Sequence, residues 1–267
     1  MMQSQGVMAE SELDPDLVAE FISGMPEAYR AGHGRQAMLD HARLSITRGP
    51  AAVNVSTFRT ARHDGLPVCV VADDRPGLLS LISAALVASG LDVVRAEAYC
   101  RNTARGMEAV ALFWLRAAGA GQSDTWVAPS DVVLFRTLLL VLLEGTLARD
   151  ALLEHLRERG KAKSTVSARI RFVSEDERNL AAVDVETADR PGLLFVLADA
   201  LAQQRVQIVR SEVRTIRGRA FDRFFVLELD GTRVSKRRET AISSAVLGAL
   251  SPAFRPQVLR DSWAPEA

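Results

Sequence analysis

The hexapeptide Asp-Arg-Pro-Gly-Leu-Leu occurs twice, at residues 74–79 and 189–194. Its residue types suit ligand binding at the start of a helix, since glycine lets a ligand approach the backbone and proline fixes the entry angle. The first N–H groups of a helix lack partners and attract a carboxylate. The aspartate beside them could accept an amine. The motif therefore favours an amino acid, which carries both groups.

The similarity between the two copies extends beyond the hexapeptide. At the same offset of 115 residues, Val94-Arg95 and Glu97 match Val209-Arg210 and Glu212. A chance match of six residues is thereby excluded, and the chain is predicted to contain an internal repeat. The four charged residues of this match are expected to form weak ion pairs between strands at the surface rather than to bind the ligand.

Each copy must position its motif between a strand and a helix. Short valine-rich segments precede the motif, and apolar residues at helical spacing follow it. The predicted strands are 66–72, 91–101, 107–116 and 168–173 in the first copy and 180–188, 206–216, 221–230 and 254–259 in the second, with second helices at 130–159 and 235–250. The fold class is therefore α+β, with two ferredoxin-like βαββαβ domains.

The predicted domains are an N-terminal helical segment with its linker at 1–60, a first domain at 61–175, a second at 176–260 and a tail at 261–267. The helical residues of the N-terminal segment, about 12–47, either pack on the first domain or form a dimer contact.

Composition excludes several classes of function. The 33 basic and 33 acidic residues balance, so neither nucleic acid nor a membrane surface is expected as a partner. Two cysteines, Cys69 and Cys100, are too few for a disulfide framework and suit a reducing compartment. The N-terminus lacks the pattern of a signal peptide, and the longest apolar run, 138–143, is too short to cross a bilayer. A cytoplasmic protein is expected.

No residue pattern predicts catalysis, a metal site or a cofactor. Asp14-Pro15-Asp16 has the spacing of a metal-binding pair but reads as a helix start capped by Asp14. His63-Asp64 lacks further ligands and is assigned to a loop, while His33, His41 and His155 are assigned structural or exposed positions. Neither a phosphate-binding glycine loop nor a nucleophile motif occurs.

The duplicated segment resembles paired ACT domains, specifically those that end the bacterial PII uridylyltransferase/uridylyl-removing enzymes, over roughly residues 60 to 260. Residues 21–29, Phe-Ile-Ser-Gly-Met-Pro-Glu-Ala-Tyr, and 39–42, Leu-Asp-His-Ala, resemble the helical segment that precedes that pair. The nucleotidyltransferase and hydrolase motifs of those enzymes do not occur in this chain. The resemblance implies regulation by an allosteric amino acid, with glutamine favoured.

The resemblance to serine-binding relatives in phosphoglycerate dehydrogenase implies that a strand residue 18 positions after the motif aspartate completes each site. That residue is Asp92 in the first copy and Gln207 in the second. The second site is expected to be the better one, because an amide matches the pattern and Thr187 adds a hydroxyl, whereas a carboxylate at 92 repels a ligand carboxylate. The candidate ligand-binding residues are Asp74, Arg75, Gly77, Leu78 and Asp92 in the first copy, and Thr187, Asp189, Arg190, Gly192, Leu193 and Gln207 in the second.

Several alternatives remain open. The motif could serve only as a helix start, with its aspartate as the cap. The leading functional hypothesis is a non-catalytic sensor of an amino acid. The alternatives are a truncated or separated regulatory part of a PII uridylyltransferase acting with a catalytic or signalling partner, and a ligand-independent ACT dimerisation module. A homodimer or another ACT–ACT association is expected in either case.

Overall fold

A computed structural model of the chain describes residues 13–119, 126–145, 168–175 and 180–250. Its strands are β1 (Val53–Thr57), β2 (Leu66–Asp73), β3 (Leu91–Thr103), β4 (Gly106–Ala117), β5 (Arg169–Glu175), β6 (Leu180–Ala188), β7 (Val206–Ile216) and β8 (Arg219–Glu228). Its helices are α1 (Pro15–Gly24), α2 (Glu27–Gly32), α3 (Arg35–Arg48), α4 (Leu78–Ala88), α5 (Pro129–Glu144), α6 (Leu193–Gln203) and α7 (Lys236–Leu250). The predicted strand 254–259 and the end of the predicted helix 130–159, with His155, lie outside the described residues.

The eight strands form one antiparallel sheet in the order β1-β2-β4-β3-β7-β8-β6-β5. The α+β class with two similar units is confirmed, and each unit has four strands and two helices. The units join where β3 pairs with β7, with Glu97 opposite Glu212. These two residues are equivalent in the repeat, so an approximate twofold axis passes between them.

The edge strand of each unit lies at a different place in the chain than predicted. Strand β1, which was not predicted, pairs with β2 and completes the first unit. Strand β5, predicted to close the first unit, pairs with β6 of the second. Each unit is therefore one continuous stretch of the chain that begins with its edge strand, and its elements follow in the order ββαββα. The domain boundaries themselves stay predictions.

One face of the sheet carries α4, α5, α6 and α7, which pack on a single apolar core shared by both units. Phe113, Phe135, Leu197 and Phe224 are fully buried in this core. Helices α4 and α6 lie against each other across the twofold axis, and the Ser80 hydroxyl donates to the Asp199 carboxylate at 3.0 Å between them. The start of each of these helices is therefore held close to the other unit.

The N-terminal helical segment covers the opposite face of the first unit. Phe21, Met25 and Tyr29 pack on Trp114 and its neighbours in β4 and form a second core. Of the two predicted positions for this segment, packing on the first domain is confirmed. Besides these apolar contacts, the buried carboxylate of Glu108 in β4 binds the side chains of Ser45 and Arg48 in α3 and of Arg101 in β3. These polar contacts connect the helical segment to the sheet.

Histidine and tyrosine side chains fill the junction between this segment and the sheet. The Tyr29 hydroxyl lies 2.8 Å from Nδ1 of His41, and His33 Nε2 lies 3.1 Å from the Glu97 carboxylate. Burial lowers the pKa of His41 to about 3, so this ring is neutral near pH 7. Burial by itself would raise the pKa of Glu97, but His33 and Arg95 lower it to about 2. The structural role assigned to the two histidines agrees with this packing.

The expected ion pairs between strands are found within strands. Arg95 binds Glu97 on β3 at 2.5 Å, and Arg210 binds Glu212 on β7. The first of these pairs is largely buried and faces the N-terminal segment. The difference arises because the twofold pairing places Glu97 and Glu212 opposite each other, so each carboxylate takes a cation from its own strand.

Candidate paired ligand sites

The two motifs form left-handed turns rather than side-chain caps. Gly77 and Gly192 stand at the N-caps of α4 and α6 with φ of 81° and 77°, and neither cap has a side-chain hydrogen bond. This conformation strongly favours glycine. The capping role considered for the aspartates is wrong, whereas Asp14, which accepts from the Asp16 N–H at 2.9 Å, caps α1 as predicted.

Each motif meets the other unit. An added Cβ at Gly77 would lie 3.7 Å from Ala202 of α6, and one at Gly192 would lie 3.5 Å from Val87 of α4. The motif aspartates are therefore brought next to the strand that begins after the other unit's helix. Two pockets result, one on each side of the twofold axis, and each contains residues of both units.

The first pocket lies at the motif 74–79. Asp74 Oδ2 accepts a hydrogen bond from Gln207 Nε2 of the other unit at 2.8 Å. Cys100 also bonds to this carboxyl, and burial together with Asp74 raises the pKa of the Cys100 thiol. Arg75 donates to the backbone carbonyl of Leu143 at the end of α5 at 3.1 Å. The walls of the first pocket also include Leu78, Ala98, Ala111, Ala198 and Ile208.

The second pocket lies at the motif 189–194. Asp92 of the other unit lines it and binds Arg116 through Oδ2 at 2.7 and 3.0 Å. The same guanidinium lies 3.6 Å from Asp189. Burial and the nearby Asp92 raise the pKa of Asp189, although Thr215 and Arg116 oppose the shift. Desolvation lowers the pKa of Arg190.

A third carboxyl, Asp222, lies in the wall of the second pocket. It is 3% exposed, and its Oδ1 has no hydrogen-bond partner among the described residues. The backbone N–H of Arg214 donates to the carboxyl. Burial and the charge of Asp189 raise the pKa of Asp222 to about 8. Sequence reasoning missed Asp222, whose structural equivalent in the first pocket is Ala111. The hairpin between β7 and β8 is shorter than the hairpin between β3 and β4, so the offset of 115 residues does not align Asp222 with Ala111.

The pairing of site residues differs from the prediction. Gln207 was assigned to the motif at 189 and Asp92 to the motif at 74, but the structure exchanges them because β3 and β7 adjoin. Thr187, expected to favour the second site, is buried in β6 and is not among the residues that line either pocket. Gly77 and Leu78 line the first pocket with Asp74 and Arg75, and Gly192 and Leu193 line the second with Asp189 and Arg190; their role in ligand binding stays a prediction.

The two pockets differ in charge and size. Asp74 and Arg75 balance in the first pocket, which is the larger of the two. The second pocket holds Asp92, Asp189 and Asp222 against Arg116 and Arg190. The amide that was assigned to the second site thus lies in the first pocket, together with the balanced charges, while the expected ranking of the two sites stays a prediction.

Comparison with known proteins gives one consistent result. The chain is similar to bifunctional uridylyltransferase/uridylyl-removing enzymes. It is 26% identical to the enzyme of Phenylobacterium zucineum over 245 residues, 28% to that of Cereibacter sphaeroides over 239 residues and 29% to that of Ruegeria pomeroyi over 210 residues. These alignments cover 91%, 86% and 76% of this chain, but 25%, 24% and 22% of the enzymes.

The chain thus spans about a quarter of the length of these curated relatives. No protein-family profile matches it. Within the described residues, no helix is both long and apolar enough to cross a membrane, and no group of three or more His, Cys, Asp or Glu side chains is arranged to hold a metal ion.

Proposed function

We propose that this chain is a non-catalytic regulatory protein whose tandem ACT-type units sense a small amino acid, with glutamine favoured, in the first pocket. The observation that carries the proposal is the hydrogen bond from Gln207 of one unit to Asp74 of the other. A ligand bound there contacts both units. It can therefore shift their relative orientation if it binds one arrangement more tightly than another.

The lining of the first pocket suits a zwitterion. The Asp74 carboxylate, held by Gln207, accepts the ligand ammonium group, while Arg75 and the start of α4 at Leu78 favour its carboxylate. Balanced side-chain charges leave no net charge for a neutral ligand to compensate. Glutamine is favoured over other amino acids because the duplicated motif resembles the paired ACT domains of bacterial PII uridylyltransferase/uridylyl-removing enzymes. The sequence similarity of this chain to bifunctional uridylyltransferase/uridylyl-removing enzymes supports that choice.

Calorimetric titration of the full chain with glutamine tests this function. Gln207→Leu removes the amide that positions Asp74 from the other unit and should weaken glutamine binding roughly tenfold. Asp92→Asn changes the equivalent position of the other pocket and should leave the glutamine affinity unchanged. Absence of binding heat for glutamine and for every other common amino acid would rule out the sensor.

A second candidate is a regulatory part that acts with a separate catalytic partner. The observation that favours it is the alignment of nearly the whole chain with about a quarter of each related enzyme. An adjacent reading frame encoding nucleotidyltransferase and hydrolase domains, whose product co-purifies with this chain, would support it. Expression of the chain as a stable protein that binds no such product would count against it.

A ligand-independent dimerisation module is the third candidate. Within the described residues the sheet ends in β1 on one side and β5 on the other, and the edge of either strand could pair with another copy. Analytical ultracentrifugation with and without glutamine separates this candidate from the sensor. A dimer whose association constant and conformation ignore every amino acid would favour it.

A further inference from the structure

We propose that the second pocket binds a small primary ammonium ligand that has no carboxylate, so that the two pockets of the repeat take ligands of different charge. This inference goes beyond amino-acid sensing in the first pocket, and neither depends on the other. It rests on an unpartnered buried carboxyl, on the charges around it and on the substitutions that separate the two pockets.

Asp222 is the central observation. A carboxyl oxygen that is buried without a hydrogen-bond partner costs the fold free energy. Asp222 Oδ1 is such an atom among the described residues, and Asp222 lines the pocket. The equivalent Ala111 shows that the same backbone accepts an apolar side chain at this position. A donor from a bound ligand would satisfy the oxygen, and an ammonium group is the donor that also matches its charge.

The charges around Asp222 point to a monocation. Asp189 and Asp92 face the pocket from the turn before α6 and from β3, while Arg116 and Arg190 are the cations that approach them. When Asp222 is ionised, three carboxylates face two guanidinium groups, and the pocket then carries one uncompensated negative charge. An ammonium ion on an alkyl chain neutralises it. A zwitterionic amino acid would leave the imbalance and bring its carboxylate close to Asp92.

The remaining walls suit a short alkyl chain. Val87, Leu91, Leu193 and Val213 surround the acidic groups, and Phe195 occupies the position of Ser80 in the first pocket. Burial of a few methylene groups among these side chains would strengthen binding further. A metal ion does not fit as well, because the described residues contain no cluster of ligands with metal geometry.

Binding of a cation should be coupled to proton release. Because the pKa of Asp222 is raised to about 8 in the free protein, its carboxyl is mostly protonated at pH 6 and half ionised at pH 8. An ammonium ligand requires the ionised form. The affinity should therefore rise about 50-fold from pH 6 to pH 8, as expected when the fraction of ionised carboxyl changes from about 1% to one half.

Isothermal titration of the full chain with ethylammonium chloride at pH 6 and pH 8 tests the proposal. The expected result is one bound ethylammonium per chain, tighter at pH 8, with a heat that changes between buffers of different ionisation enthalpy. Asp222→Asn, nearly isosteric, should reduce the affinity at pH 8 at least tenfold. Asp64→Asn, in an exposed loop outside the pocket, should leave it unchanged.

Asp92→Asn provides a second variant that removes one negative charge at the rim of the pocket, and it should also weaken ethylammonium binding. Glutamine titration of Asp222→Asn should match the wild type, because that variant leaves the first pocket intact. The proposal is overturned if ethylammonium does not bind at pH 8, or if it binds equally well to both pocket variants. Glutamine binding in the same samples reports separately on the sensor function.

Discussion

Replacement of Asp222 by asparagine should make the fold more stable, and the gain should grow with pH. The carboxyl is 3% exposed, and burial with the charge of Asp189 raises its pKa from 3.8 to about 8. The folded protein therefore holds a proton that the unfolded chain loses above pH 4. A buried carboxyl with a raised pKa therefore makes the free energy of unfolding greatest at low pH, and this free energy falls as the pH rises toward 8.

The size of the effect follows from the two pKa values. Each pH unit between about 4 and 8 lowers the free energy of unfolding of the wild type by up to ~1.4 kcal/mol relative to a protein without this group. Between pH 5 and pH 7 the difference between Asp222→Asn and the wild type should grow by roughly 2–3 kcal/mol. An amide of nearly the same shape keeps the packing and cannot ionise.

Urea denaturation of both proteins at pH 5, 6 and 7 measures this difference. Other titrating groups, such as His41, occur in both proteins and cancel when the two curves are subtracted. Asp64→Asn serves as the control, since its exposed carboxyl should give a curve parallel to the wild type. Parallel curves for Asp222→Asn as well would show that the carboxyl is solvated, and would remove the physical basis for an ammonium site.

Four further perturbations have defined outcomes. Gly77→Ala forces an alanine to a φ of 81° and should lower the free energy of unfolding, measured by urea denaturation, by about 1 kcal/mol. Gly32→Ala is the control, because Gly32 is helical and has open space around it, and this variant should change the free energy of unfolding little. Equal effects of the two variants would contradict the left-handed turn. Glu108→Leu removes the carboxylate that binds Arg101 and Arg48, of which Arg48 keeps its contact to the exposed Asp73, and should cost about 3 kcal/mol. Limited proteolysis should then cut the helical segment first, and unchanged protection would argue against this anchor. Acid should loosen the same segment, because burial lowers the pKa of His41 to about 3 and its contribution to stability is lost progressively as the pH falls below 6.5. Tyr29→Phe removes the hydrogen-bond partner of the His41 ring and should cost about 1 kcal/mol at pH 7. If the stability difference between the wild type and a His41→Gln variant is the same at pH 7 and pH 5, the His41 ring is not buried and neutral.

The similarity to uridylyltransferase/uridylyl-removing enzymes supports a regulatory role for this chain. Those relatives are about four times as long as the matched region, and the regulatory role assigned to this chain is supported by its tandem units and by the pockets between them. The two pockets are unequal in charge, which is the basis of the proposal that they take chemically different ligands.

The sequence by itself determined the repeated unit and most of its elements. Strands β6 and β7 begin and end at the predicted residues, and the helices after each motif lie where apolar spacing indicated. These features depend on contacts between residues close in the chain, which leave a periodic pattern. The short β1, with only five residues, left a weaker pattern and was assigned to a linker.

Only the tertiary structure decided which residues share a pocket. Pairing of β3 with β7 brings Gln207 to Asp74 and Asp92 to the motif at 189, whereas equivalence within the repeat had suggested the opposite pairing. It also turns Asp222 into a pocket residue. The physical reason is that strand pairing between units is set by long-range burial and hydrogen bonding, which local spacing does not encode. The duplicated motif therefore specified two sites, and the fold specified their partners.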